Sequence, residues 1–296
     1  MSSGPDFIII GAMKCATSTL HEQLAAQPGI FMSDPKEPCF FSNDPVYARG
    51  WSWYVSLFAA AAPGQLRGES STHYTKLPTY PRTVERIASH LPDVKLIYVM
   101  RHPLERLVSQ YVHEWTERTI DGSIDAAVRR YPRLVDYGRY AMQLQPYFDA
   151  FGRERVLPVF QERLRVCPQE ELERVCAFLG YAGSPRWAPE RAEANVSTQR
   201  LRQSPWRDRL INLPGLKQAR RALVPRIVRE RIKRLWMMTD RPELSPSLRQ
   251  ELTQLYDADL AELGSWMGVE LTCANFKQAA AGAGVAWAET DRTVKR

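Results

Sequence analysis

Residues Asp6–Leu20 read DFIIIGAMKCATSTL. Phe7 to Ile10 make a continuous apolar run of the kind buried in a parallel sheet. Gly11-Ala12-Met13-Lys14-Cys15-Ala16 is a small-residue turn carrying one lysine, and Thr17-Ser18-Thr19 open a helical pattern. Strand, tight turn and helix in that order gather the unpaired amides of a first helical turn, and the positive end of its dipole, at one place. Such a place binds anionic oxygens, and Lys14 adds a point charge to it. The amides of Cys15, Ala16, Thr17, Ser18 and Thr19 are therefore candidate phosphate donors, with Lys14 as their cation.

The nucleoside-triphosphate loop G-x-x-x-x-G-K-[ST] puts its lysine directly after a second glycine. Here only Ala12 and Met13 stand between Gly11 and Lys14, and Ala16 occupies the place of a second glycine. The order G-x-x-K-x-[AG]-T-[ST]-x-L instead resembles the 5′-phosphosulfate loop of sulfotransferases that use 3′-phosphoadenosine 5′-phosphosulfate (PAPS).

Strand-like runs at Asp6–Ile10, Lys95–Met100 and Val156–Phe160 alternate with helical patterns at Thr17–Gln27, Pro81–Leu91, Pro103–Glu117, Arg139–Phe151 and Pro168–Leu179. That alternation predicts an α/β fold with a central parallel sheet flanked by helices, and ligands at the carboxyl ends of the strands. Residues 200–241 are crowded with arginine and lysine at helical spacing and are broken by Pro214 and Pro225, which predicts a basic helical excursion or lid. A last helix is expected over Ser245–Met267. We read residues 1–276 as one domain and 277–296 as a flexible tail.

The 296 residues are 44% hydrophobic and carry a formal charge of +7, enough for one substantial core and a bias towards anionic partners. Five scattered cysteines have no zinc spacing, which predicts free thiols in a reducing compartment and no metal site. The opening MSSGPDF runs into the first strand without an apolar signal segment, so the expectation is a cytoplasmic protein of bacterial type.

A second anion site is written in YVMRHPLERLVSQYVHEW. Arg101 falls where a strand ends, Pro103 starts a helix and Ser109 lies two turns along it. A guanidinium fork and a hydroxyl together grip a phosphate. The pattern R-x-P-x-x-R-x-x-S-x-Y (Arg101, Pro103, Arg106, Ser109, Tyr111) resembles the 3′-phosphate signature of the same family. Asp34–Phe41, DPKEPCFF, resembles the K-E-x-x-F-F element of its glycan-type branch, the branch of the heparan sulfate sulfotransferases. In that branch the glutamate matching Glu37 is the catalytic base.

His73, in GESSTHY, competes with Glu37 for that role, because the branch acting on phenols and steroids uses a histidine. Glu37 is preferred, since the GE-x-S-x-x-Y context itself recurs in the glutamate-using branch. Glu69 there is expected to orient the acceptor or a loop, and Tyr74 to line the pocket. Arg200 and Arg202, in AEANVSTQRLRQ, match weakly the basic loop that closes over the 3′-phosphate. The K-x-K-G-R element of the heparan enzymes and their paired cysteines are absent.

The resemblance implies a P-loop-like fold and transfer of a sulfuryl group from PAPS to a hydroxyl or amine of a carbohydrate-like or other small acceptor. It implies PAPS as co-substrate, no required metal and no nucleic acid partner. The stretch 200–241 is open to an anionic acceptor or a membrane surface. Two other readings stand beside it: a nucleotide-dependent phosphoryl transferase, and a non-catalytic protein that binds nucleic acid or membranes through the basic stretch.

Overall fold

The computed structural model describes residues 4–192, 241–282 and 286–288. In chain order, β1 (Phe7–Gly11), α1 (Thr17–Ala25) and β2 (Ile30–Met32) precede two short helices, α2 (Asp44–Tyr47) and α3 (Trp51–Ser56). Next come β3 (Leu66–Ser70), α4 (Thr83–His90), β4 (Lys95–Met100) and α5 (Pro103–Thr116). Helices α6 (Ile124–Arg130), α7 (Arg133–Asp136) and α8 (Tyr140–Phe151) lead to β5 (Val156–Phe160). Helices α9 (Gln161–Val166), α10 (Pro168–Leu179) and α11 (Pro189–Ala192) follow, and beyond residue 240 the described helices are α12 (Pro246–Met267) and α13 (Phe276–Ala281).

The strands form one sheet in the order β2-β3-β1-β4-β5, and every neighbouring pair is parallel. The α/β expectation with a parallel central sheet therefore holds. Phe7–Ile10 and Leu96–Met100 are fully buried, as apolar central strands covered on both faces must be. Gly68 lies opposite Phe7 in the register, and a Cβ there would sit 2.2 Å from the Phe7 ring. Pro158 is confined to the edge strand β5, where its missing amide costs no ladder bond on the outer side.

Because all five strands run the same way, their carboxyl ends share one rim. From β1 the chain turns to β2 on one side, and from β3 it crosses to β4 on the other. The crevice between β1 and β4 is the switch point at which such sheets take ligands.

Two expectations are corrected here. The loose tail expected from residue 277 begins inside α13, whose Phe276 and Ala280 are buried, and Trp287 donates its indole N–H to the Val156 carbonyl at 2.5 Å. An aromatic ring that finds both apolar cover and an acceptor docks rather than staying loose. The helix expected from Pro81 starts at Thr83. Apart from Arg241, the basic stretch 200–241 lies outside the described residues, and so do Arg200, Arg202 and residues 289–296.

Candidate active site

The turn after β1 is shaped by its backbone. Gly11 has φ +154°, and a Cβ on it would stand 1.9 Å from Thr75 Oγ1, which donates to the Ile10 carbonyl at 2.9 Å. Only glycine fits that approach. Lys14 and Ala16 both adopt left-handed conformations, φ 69° and 70°, which non-glycine residues rarely hold.

Ala16 is the N-cap of α1 and offers no side-chain oxygen to it. The first bond of the helix runs from Leu20 N–H to the Ala16 carbonyl, so the amides of Thr17, Ser18 and Thr19 precede it and have no intrahelical acceptor. The Cys15 amide differs from the sequence expectation. It closes the turn onto the Ala12 carbonyl at 3.2 Å and is not presented to a ligand. Its thiol is fully buried, which pushes it up to about 11 despite the nearby Arg106 and Arg101, and makes it a packing group at neutral pH.

The second junction stands beside the first. Tyr140, the first residue of α8, donates its hydroxyl to the Arg101 carbonyl at 2.5 Å and accepts the Arg101 amide at 3.2 Å. The same oxygen lies 3.7 Å from Cys15 Sγ. One hydroxyl thus touches both the loop after β1 and the end of β4. Asp259 of α12 fixes this hub by capping α8, accepting the amides of Ala141 and Met142 at 3.0 and 3.1 Å.

Arg101 is largely buried and donates from Nη2 to Glu105 at 2.9 Å, while its Nε is shielded from water and has no acceptor. A buried guanidinium N–H without an acceptor costs of the order of 1–3 kcal/mol, and an anion between Arg101 and the loop would remove that cost. Glu105 is also held by Lys277, and burial is outweighed by these two cations, so its carboxyl sits at about 2. Ser109 is half-buried two turns along α5. Arg106 of the same motif instead points into the core, fully buried, donating to Gln110 Oε1 at 2.6 Å and the Leu134 carbonyl at 2.5 Å. It clamps α5 to α7.

The two candidate bases occupy one place. The Glu37 amide donates to the Ser70 carbonyl at 2.9 Å, which ties its loop to the end of β3. Its carboxylate accepts from Lys36 Nζ at 2.9 Å and Thr72 Oγ1 at 3.0 Å. Burial alone would raise this carboxyl, but Lys36 and Thr72 overcome it and hold the group below its ordinary value. Glu37, Cys39 and His73 each place one O, S or N atom within 4.8 Å of the others. The His73 ring stacks on Tyr80 at 5.0 Å, and burial with Lys76 nearby pushes its imidazole down to about 4, so it is neutral at pH 7. Phe40 and Phe41 anchor the loop, with Phe40 stacked on Tyr54 at 4.6 Å.

Comparison with known proteins meets this geometry. The sequence pattern of the Sulfotransferase family matches residues 40–185. The mouse heparan sulfate glucosamine 3-O-sulfotransferase 3B1 is 34% identical over 185 residues, 60% of this chain and 46% of that protein. The human bifunctional heparan sulfate N-deacetylase/N-sulfotransferase 2 is 29% identical over 196 residues, 60% of this chain and 22% of that protein. A sulfotransferase structure from Alicyclobacillus acidocaldarius superposes with a TM-score of 0.64 at 25% identity, covering 91% of this chain and 98% of that one. Over residues 40–185 the chain is similar to the sulfotransferase family. Its P-loop-like fold is the fold of that structural neighbour. The chain spans about half the length or less of the curated relatives it matches.

One expectation needs correcting: Tyr74 is core, not pocket lining, while Glu69 is fully buried on β3. The hydroxyls of Tyr54 and Tyr74 stand beside the Glu69 carboxyl without hydrogen-bond geometry, and burial pushes it up to about 8. A carboxyl raised from 4.5 to about 8 stabilises the fold fully below 4.5, and this contribution is lost as pH rises through 8. The slope is ~1.4 kcal/mol per pH unit at most. Glu69→Gln should therefore flatten the fall in Tm between pH 5 and 8. An unchanged profile in thermal melts would show that Glu69 is not a buried acid.

Sequence reading missed Tyr140, Thr75, Thr72, Lys36 and Lys76. Lys76 is buried, and burial lowers it to about 8 in spite of Glu37. A lysine directly before the candidate base was a visible signal for Lys36. The others come together only through the fold.

Proposed function

We propose that this chain is a sulfotransferase that moves a sulfuryl group from PAPS to a hydroxyl or amine of a carbohydrate-like or other small acceptor by in-line displacement. The observation that carries the reading is the Tyr140 hydroxyl bridging Cys15 and Arg101, because it holds the loop after β1 beside the end of β4, which supports one anion site for each phosphate end of the nucleotide. Bound PAPS supplies an activated sulfuryl group on a phosphate leaving group.

Lys14 and the amides of Thr17, Ser18 and Thr19 take the 5′ end, where negative charge grows as the sulfuryl group departs. Arg101 takes the 3′-phosphate, trading part of its ion pair with Glu105, and Ser109 completes the grip. Glu37 accepts the acceptor's proton, held in place by Thr72 and Lys36. A recess of about 290 Å³ bordered by Thr79, Tyr80, Arg82 and Ser42, whose Tyr80 stacks on His73, is the candidate acceptor site. Arg200 and Arg202 are assigned to closure over the 3′-phosphate. Lysine and amide dipoles do the work that a magnesium ion does for kinases, so transfer needs no metal.

A ligand bound only by the folded state raises its stability by about 2.7 kcal/mol at a hundredfold excess over Kd. 3′-Phosphoadenosine 5′-phosphate (PAP) should raise Tm by roughly 5 °C under those conditions, and ATP with magnesium by far less. The reverse order would indicate a phosphoryl transferase.

A further inference from the structure

We propose that Glu37, Cys39 and His73 form a site for a thiophilic divalent cation such as zinc, and that filling it switches transfer off. The residues come from two loops, the turn after β2 and the 3-10 turn Thr72–Thr75 after β3, and the fold alone brings their O, S and N atoms within 4.8 Å of one another. A tetrahedral zinc ion holds its ligand atoms roughly 3.5 Å apart, so side-chain movement of about an ångström closes the set. One carboxylate, one thiolate and one imidazole suit zinc, cobalt or copper and do not suit magnesium or calcium. Three protein ligands leave a fourth position open to water or an acceptor oxygen.

Two features of the site favour this use. The His73 Nδ1 is shielded from water and lacks a hydrogen-bond partner. Glu37 and Cys39 are both held in left-handed backbone conformations, φ 59° and 53°, which fixes their side chains on a short turn.

Lys36 and Lys76 oppose a bare cation here. The carboxylate and thiolate together cancel the charge of a divalent ion. On binding, Cys39 releases its thiol proton to solvent, Glu37 exchanges its Lys36 contact for the ion, and no electron is transferred.

The inhibitory consequence rests on Glu37 being the base, whereas the binding itself does not. Cobalt titrated into the full chain should give a thiolate-to-metal charge-transfer band in the near ultraviolet that saturates at one ion per chain. Cys39→Ser should abolish the band, and His73→Ala should weaken cobalt binding at least tenfold. No band in the wild type, or an unchanged band in Cys39→Ser, overturns the site. Saturating zinc should cut transfer at least tenfold, with recovery on adding a chelator, and the residual activity of Cys39→Ser should be zinc-insensitive. Undiminished transfer at a cobalt- or zinc-saturated site overturns the switch. If no PAPS-dependent transfer is seen at all, the sulfotransferase reading fails while the cobalt result still decides the site.

Discussion

Lys14→Ala is expected to lower kcat by about 10²–10³-fold, the usual cost of removing one donor from developing charge, while PAP binding weakens much less. The reason lies in where charge appears. In the bound donor the 5′ end already carries its phosphate charge, which the amides of Thr17, Ser18 and Thr19 meet at the uncapped start of α1. As the sulfur–oxygen bond breaks, additional negative charge collects on the bridging oxygen, and only a group matched to that moment speeds the step. Lys14 stands at the turn itself, in a left-handed conformation that the surrounding loop imposes. Steady-state kinetics with calorimetric PAP affinities separates the cases. Equal losses in turnover and in binding would refute the leaving-group role.

Glu37→Gln is expected to keep PAP affinity within about threefold and to lose transfer by about 10²–10⁴-fold, the range of general base catalysis. Glutamine preserves the length of the side chain and an oxygen for Thr72 Oγ1, now 3.0 Å away, but it has no proton-accepting carboxylate. The loop should stay in place, because Phe40 and Phe41 are buried and the residue 37 amide is tied to Ser70. His73→Ala is the companion variant, since a carboxylate oxygen of Glu37 and a ring nitrogen of His73 lie within 4.8 Å of each other. Full turnover in Glu37→Gln together with loss in His73→Ala would move the base to the histidine.

The sequence disclosed what local pattern can carry. Strands β1, β4 and β5 were legible as short runs rich in isoleucine and valine, and α10 and α12 were placed to within a residue. Strand β2 has three residues, too few for a period, and of β3 only the end before His73 was legible, because Gly68 and the buried acid Glu69 break its apolar pattern. Their polarity is explained only by neighbours: Phe7 needs the space at Gly68, and Glu69 keeps its proton.

The candidate site divides the same way. Lys14, Glu37 and Arg101 sit in motifs where the chain leaves a strand, so sequence alone pointed to them. Tyr140 lies in no motif near either anion site and reaches them because Asp259, far along the chain, caps its helix. Cys15 looked like a ligand by position and proves to be packing, because its amide is spent in the turn and its thiol is buried. Arg106 carries the spacing of an anion motif but clamps two helices, a distinction that only its burial reveals.

The central claim is a paired grip for a nucleotide phosphorylated at both ends, one half on the loop after β1 and the other at Arg101. Calorimetric titration of PAP and of adenosine 5′-phosphate into the wild type and Arg101→Ala tests it directly. The account predicts that the wild type prefers PAP by at least about tenfold, as a charge-assisted contact of about 1.5–3 kcal/mol requires, and that Arg101→Ala loses most of that preference, leaving only what Ser109 and the later arginines supply. Equal affinities for the two nucleotides in the wild type, or a preference that survives undiminished in Arg101→Ala, would contradict it.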